Sequence, residues 1–213
     1  MKWPTGYHAT DDQIRRGLAD ENELVRWEFS LRTDYMPILE QIEQGLEDKD
    51  VNVRRQFIRR FDYVLMHEQI RCALSDEDSE VRMEAASRAD YPLTADQLEQ
   101  MMTCTDSAIR AGVATRDDYT PSAEQFERGL TDNNEYVRAR FICRADCTLT
   151  PEQVERASLD SSDDVRWMLV NRTDLKPTPA QIQRGLTDKM SLVRSQYEWI
   201  LNGDTGFCAD SSR

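Results

Sequence analysis

At 213 residues, 39% hydrophobic and 31% charged, the chain can form one or two ordinary domains but is lean in core-forming residues. That balance suits a thin, elongated body better than a sphere. A net charge of −13 argues against binding nucleic acid or anionic membrane, because phosphate contacts need surplus cations.

The chain opens on Met1-Lys2-Trp3-Pro4, without the apolar stretch of a signal peptide, and a cytoplasmic location is expected. No apolar run approaches the roughly 18 residues of a membrane span. Trp3-Pro4-Thr5-Gly6-Tyr7 falls in register with the closing segment of later units, so residues 1–9 read as a truncated N-terminal cap.

From residue 10 the sequence repeats every 28 residues without insertion. Seven units follow: 10–37, 38–65, 66–93, 94–121, 122–149, 150–177 and 178–202. Each carries an aliphatic-Arg pair: Val25-Arg26, Val53-Arg54, Val81-Arg82, Ile109-Arg110, Val137-Arg138, Val165-Arg166 and Val193-Arg194. Each carries a Gln in one position, from Gln13 to Gln181, followed by an aliphatic or aromatic residue. Asp recurs at Asp20, Asp48, Asp76, Asp132, Asp160 and Asp188, with Cys104 as the exception. Arg-x-Asp recurs from Arg32/Asp34 to Arg172/Asp174.

Each unit reads as two short helices. The first opens on a capping box, as in Thr150-Pro151-Glu152-Gln153, with Pro at the first helical position. Thr10–Gln13, Thr94–Gln97, Ser122–Gln125 and Thr178–Gln181 repeat it. Ile38 and Met66 replace the capping hydroxyl in units two and three, whose first helices are expected to fray. Gly17, Gly45, Gly129 and Gly185 precede the Leu that closes the first helix and predict close helix packing. The second helix is expected to begin near the recurring Asp and to present pairs such as Val53/Phe57 and Val137/Phe141 on one face. Apolar positions recur at three and four, not two, which excludes strands. At the end of the array Ile200 and Asn202 stand where Arg and Asp stood, and residues 203–213 read as a polar tail.

Leu-x-Asp followed six residues later by Arg, as in Leu130-Thr131-Asp132 to Arg138, resembles the HEAT-repeat signature, and most nearly its short bacterial forms and the leucine-rich-repeat variant. The resemblance covers about residues 10–202 and implies a right-handed α-solenoid, a single all-α domain over residues 1–202. It further implies that each Asp and Arg joins a hydrogen-bonded ladder along the stack. A half-buried Arg is tolerable only where its donors meet carboxylates or carbonyls. Only four of the 27 basic residues are Lys, which fits positions needing a planar fork of donors.

Residues repeated in every unit belong to the scaffold, so no catalytic residue is expected among them. Only His8 and His67 exist, and no phosphate loop or nucleophile motif occurs. The five cysteines are odd in number, form no CxxC pair and read as reduced thiols. Cys143 and Cys147 stand four apart, and the cysteine-rich segment that carries an iron–sulfur cluster in some leucine-rich-variant proteins is lacking; neither cofactor nor metal is expected. DNA glycosylases of the HEAT-like kind need a cationic groove, and this chain has the opposite sign.

Setting aside the thirteen ladder Arg and twelve ladder Asp leaves 14 basic and 28 acidic residues, so the acidity is a property of the surface. It is either a solubilising surface or a decoy that imitates nucleic-acid phosphates. Trp27 and Trp167 share one position of the repeat. The resemblance places them on the concave side with Arg55, Met83, Arg140 and Met168. There they serve either as packing between units or as anchors for a partner. The leading expectation is a non-enzymatic interaction module that binds a partner protein with a basic surface, without direct nucleic-acid or membrane binding. The alternative is a nucleic-acid-mimicking inhibitor of a DNA- or RNA-binding protein, such as a counter-defence protein of a phage or mobile element.

Overall fold

A computed structural model describes residues 8–202. Most of the expected N-terminal cap at residues 1–9, the polar tail at 203–213 and Cys208 lie outside the described residues. The described residues hold fourteen helices and no strand. The chain divides into two compact bodies between Tyr119 and Thr120.

In the N-terminal body the first helices are α1 (Asp11–Leu18), α3 (Leu39–Leu46), α5 (His67–Ala73) and α7 (Ala95–Thr103). Their second helices are α2 (Glu23–Ser30), α4 (Val51–Arg59), α6 (Ser79–Ser87) and α8 (Ser107–Ala114). The C-terminal body pairs α9 (Ala123–Leu130) with α10 (Glu135–Cys143), and α11 (Pro151–Ser158) with α12 (Asp163–Val170). It ends with α13 (Pro179–Gly185) and α14 (Ser191–Leu201). Helices of seven to eleven residues are too short to persist alone, so their stability comes from packing. Within each body the pairs stand in file: every second helix lies on the next second helix and on its own first helix, whereas first helices barely meet one another. The second helices thus form the more closely packed layer of each body.

Local chemistry sets the helix starts. Thr150 Oγ1 accepts from the Gln153 backbone N–H at 3.3 Å, and Gln153 Oε1 accepts from the Thr150 N–H at 2.8 Å. In repeats two and three the hydroxyl half of the box is lost, but Gln41 and Gln69 still accept from the backbone of Ile38 and Met66 at 3.0 and 2.9 Å. The second helix starts slightly later than the recurring Asp. Asp48 Oδ1 accepts from the Asp50 N–H at 2.8 Å, and Asp50 is the true cap, accepting from Asn52 and Val53. The recurring Asp is thus a turn residue held ready in front of the helix.

Inside each repeat the closing glycine of the first helix meets an aromatic ring of the second. A Cβ on Gly17, Gly45, Gly129 or Gly185 would lie 2.3, 2.2, 2.3 or 2.0 Å from the ring of Phe29, Phe57, Phe141 or Tyr197. At the same two positions the remaining repeats carry Ala73 with Ala85, Met101 with Val113, and Ala157 with Leu169. Volume is exchanged between the two sites: a ring where the first residue has no side chain, a smaller residue where it has one.

Two ladders of Arg run between repeats, in opposite directions. In the first, the Arg of the aliphatic-Arg pair reaches forward to the turn Asp of the next repeat through two parallel bonds. These are Arg26–Asp48 at 2.7 and 2.8 Å, Arg54–Asp76 at 2.8 and 2.9 Å, Arg138–Asp160 at 2.8 and 2.7 Å, and Arg166–Asp188 at 2.7 and 2.9 Å. The remaining guanidinium nitrogen donates to carbonyls of its own turn, as Arg26 does to Asp20 and Glu21. Where Cys104 breaks the Asp series, Arg82 turns to Asp106 instead, the cap of α8 two residues further on. In the second ladder, the Arg of Arg-x-Asp grips its own Asp and reaches back. Arg88 donates to Asp90 through Nε and Nη2 and to the carbonyls of Ile58, Arg60 and Tyr63 at 2.7, 2.6 and 3.1 Å, which uses all five donors. Arg60, Arg116 and Arg172 repeat this pattern.

These contacts make stability depend on acid. Hydrogen bonds from the adjacent Arg hold Asp34, Asp62, Asp90, Asp146, Asp174 and Asp188 below the ordinary carboxylate range. For Asp76, Asp106 and Asp160 burial works in the opposite sense, and their Arg partners and turn N–H groups outweigh it. A carboxyl group depressed in the folded state stabilises it above the ordinary carboxyl range and ceases to do so as pH falls through the folded value. The urea midpoint, followed by circular dichroism, is therefore expected to be flat from about pH 6 to 8 and to fall steeply below about pH 4.

Candidate partner-binding surfaces

The second-helix layer of the N-terminal body carries Trp27 on α2, Arg55 on α4 and Met83 on α6, one residue per repeat at the same position. Trp27 is exposed, and Arg55 and Met83 are half-buried. Arg55 pairs with Glu80 of the next helix. Arg59 and Glu84 form a parallel pair at 3.5 Å, so the α4–α6 surface is a mixed-charge patch. In the C-terminal body Arg140 of α10 is exposed, while Trp167 and Met168 of α12 are half-buried. Trp167 packs against the cluster of Val170, Val193 and Tyr197. Both Trp residues are thus partly covered, Trp27 keeping 36% of its surface exposed and Trp167 resting in part on that cluster.

Trp27 is not alone on α2. Leu24, Trp27 and Leu31, spaced at three and four residues, are 63, 36 and 41% exposed and form one apolar stripe. Single exposed apolar residues need no explanation; a contiguous row on one helix face does. A second set of exposed apolar residues, also missed by the sequence reading, lies on the connectors and first-helix starts of repeats one to three. Met36, Ile38, Leu39, Phe61, Val64 and Met66 are all exposed there. The replacement of capping hydroxyls by Ile38 and Met66 was the available signal, and it reads as a lost cap until the side chains are placed. Phe61 also covers the guanidinium of Arg88, whose carbon lies 4.9 Å from the ring centre.

The described residues include no helix long and apolar enough to cross a membrane. No group of three or more His, Cys, Asp and Glu among them is arranged to hold a metal ion. Cys72, Cys104, Cys143 and Cys147 are free thiols; burial pushes those of Cys143 and Cys147 above the ordinary thiol value.

No protein-family model matches the sequence, and no curated protein does. Among solved structures, the chain is similar to a leucine-rich repeat variant with a novel repetitive protein structural motif. The two share 28% identity over 86% of this chain and 68% of that one, with a TM-score of 0.45.

Proposed function

We propose that the chain is a non-enzymatic, cytoplasmic interaction module of the HEAT-like, leucine-rich-repeat-variant kind, which binds a partner protein on its second-helix layer. The observation that carries this reading is the outward stripe of Leu24, Trp27 and Leu31 on α2, beside the charged pairs of α4 and α6. An exposed Trp flanked by Leu on a rigid helix is an anchor whose burial removes a large apolar area from water at little entropic cost. The acidic surface, at a net charge of −13, would steer a basic partner toward it.

The test uses the full chain as bait in an extract of its host, with captured proteins identified by mass spectrometry and their affinities then measured. Trp27→Ala is expected to weaken capture by about 2 kcal/mol, roughly thirtyfold, when measured well below the variant's own melting temperature. Capture unaffected by Trp27→Ala would remove the stripe from the reading. Displacement of the chain from its target by duplex DNA or RNA would favour the nucleic-acid mimic instead.

A further inference from the structure

The first-helix layer carries a third, shorter ladder, and at one place in the N-terminal body its Glu and Gln stand without the Arg. In the C-terminal body Glu127 of α9 is bridged by two residues of α11: Gln153 donates through Nε2 at 2.8 Å and Arg156 through Nη2 at 2.8 Å. One repeat later Glu155 receives Gln181 Nε2 at 2.9 Å and both Arg184 Nη atoms at 2.7 and 3.0 Å. The triad is therefore a Glu on one first helix, with a Gln and an Arg three residues apart on the next.

In the groove between α3 and α5 the same three positions hold Glu43, Gln69 and Cys72. Glu43 and Cys72 are exposed. Gln69 is only 9% exposed, and its Nε2 finds no hydrogen-bond partner. A rotated amide cannot resolve this, because Oε1 is already committed to the Met66 N–H at 2.9 Å, and Gln69 lines the groove. An unsatisfied buried amide is costly enough to call for a partner. Between the helices lies an open cavity of about 240 Å³, whose walls include Glu43, Glu47 and Glu68 at the rim and Leu46, Ile58 and Val81 deeper in. Acidic groups surround an apolar floor, the arrangement that an arginine side chain satisfies with a charged fork and a methylene stem.

We propose that the α3–α5 groove receives an arginine from a partner protein, whose guanidinium takes the place that Arg156 and Arg184 fill in the C-terminal body. The carboxylate of Glu43 would accept from it, as Glu127 and Glu155 do from theirs. Gln69 would then donate to the same carboxylate, as Gln153 and Gln181 do. The groove lies on the layer opposite Trp27, so this proposal does not depend on the second-helix surface.

The test titrates N-acetyl-arginine methylamide into the full chain and follows the Gln69 side-chain NH2 by NMR. The expected result is a saturable shift, with the corresponding lysine derivative binding roughly tenfold more weakly because an ammonium lacks the planar fork. Cys72→Ala should leave the shift intact. Cys72→Arg should abolish it by supplying the guanidinium from within, and Glu43→Gln should abolish it by removing its charge partner. All three substitutions sit at exposed positions, so the stack that reports the signal is retained. An absent shift, equal binding of the lysine derivative, or a response that survives Cys72→Arg would overturn the proposal.

Discussion

Arg88→Ala is expected to cost about 4 kcal/mol, a large share of the roughly 5–15 kcal/mol that holds a domain folded. Arg88 is 1% exposed, and its guanidinium ties three carbonyls of the preceding repeat to the carboxylate of Asp90. Removing it strands all four acceptors at once. A buried acceptor that loses its donor costs about 1–3 kcal/mol, and an unpaired buried charge more. Asp90 is partly exposed, with 28% of its side chain open to water, which keeps the total below a simple sum. Arg88→Lys is expected to recover little, because an ammonium with three donors cannot replace the five donors of a guanidinium fork. The control is Arg15→Ala on α1, whose side chain is 72% exposed and pairs with Asp12; it is expected to change stability by under about 0.5 kcal/mol. Urea unfolding of both variants checks the contrast. A shift of less than about 1 kcal/mol for Arg88→Ala would mean that the backward ladder contributes little to stability.

Gly45→Ala is the second large effect, and its sign runs against helix propensity. Ala in a helix interior is favoured over Gly by about 0.5–1 kcal/mol. Here the new methyl would sit 2.2 Å from the ring of Phe57, which is fully buried and has nowhere to move. Overpacking of this kind costs about 1–3 kcal/mol or more, so a net loss of about 2 kcal/mol is expected. The chain contains its own remedy, since Ala157 is matched by Leu169 in the sixth repeat. Adding Phe57→Leu to Gly45→Ala is expected to restore most of the stability, although Phe57→Leu alone leaves a void and is itself destabilising. A double-mutant cycle read by thermal unfolding measures the coupling. Simple additivity of the two changes would show that the glycine and the ring are not exchanging volume.

Much of this was legible in the residues. The 28-residue period, the two helices per repeat, the Thr/Ser–Gln boxes and the need of so many Arg for carboxylates and carbonyls all follow from local rules acting within a few residues. The close approach at Gly17, Gly45, Gly129 and Gly185 was legible for the same reason, as a missing side chain on an otherwise apolar face. The fate of the tryptophans was not. Trp27 and Trp167 occupy one position of the repeat, yet Trp27 lies in a row with the exposed Leu24 and Leu31 while Trp167 packs in part beside Val170, Val193 and Tyr197.

What the sequence determined alone is the repeating unit, because capping, turn chemistry and helical periodicity are settled by neighbours along the chain. Only the tertiary structure decided where each long side chain ends. Arg26 reaches 22 residues forward to Asp48, whereas Arg88 reaches 25 to 30 residues back to its carbonyls. Nothing in either local motif sets that direction; it depends on how one helix pair nests on the next. The same nesting sent Arg82 to Asp106 when Cys104 removed its usual partner, and left Gln69 facing a groove with no guanidinium in it. Contacts between repeats arise from the stacking geometry, and a single repeat's residues do not contain it.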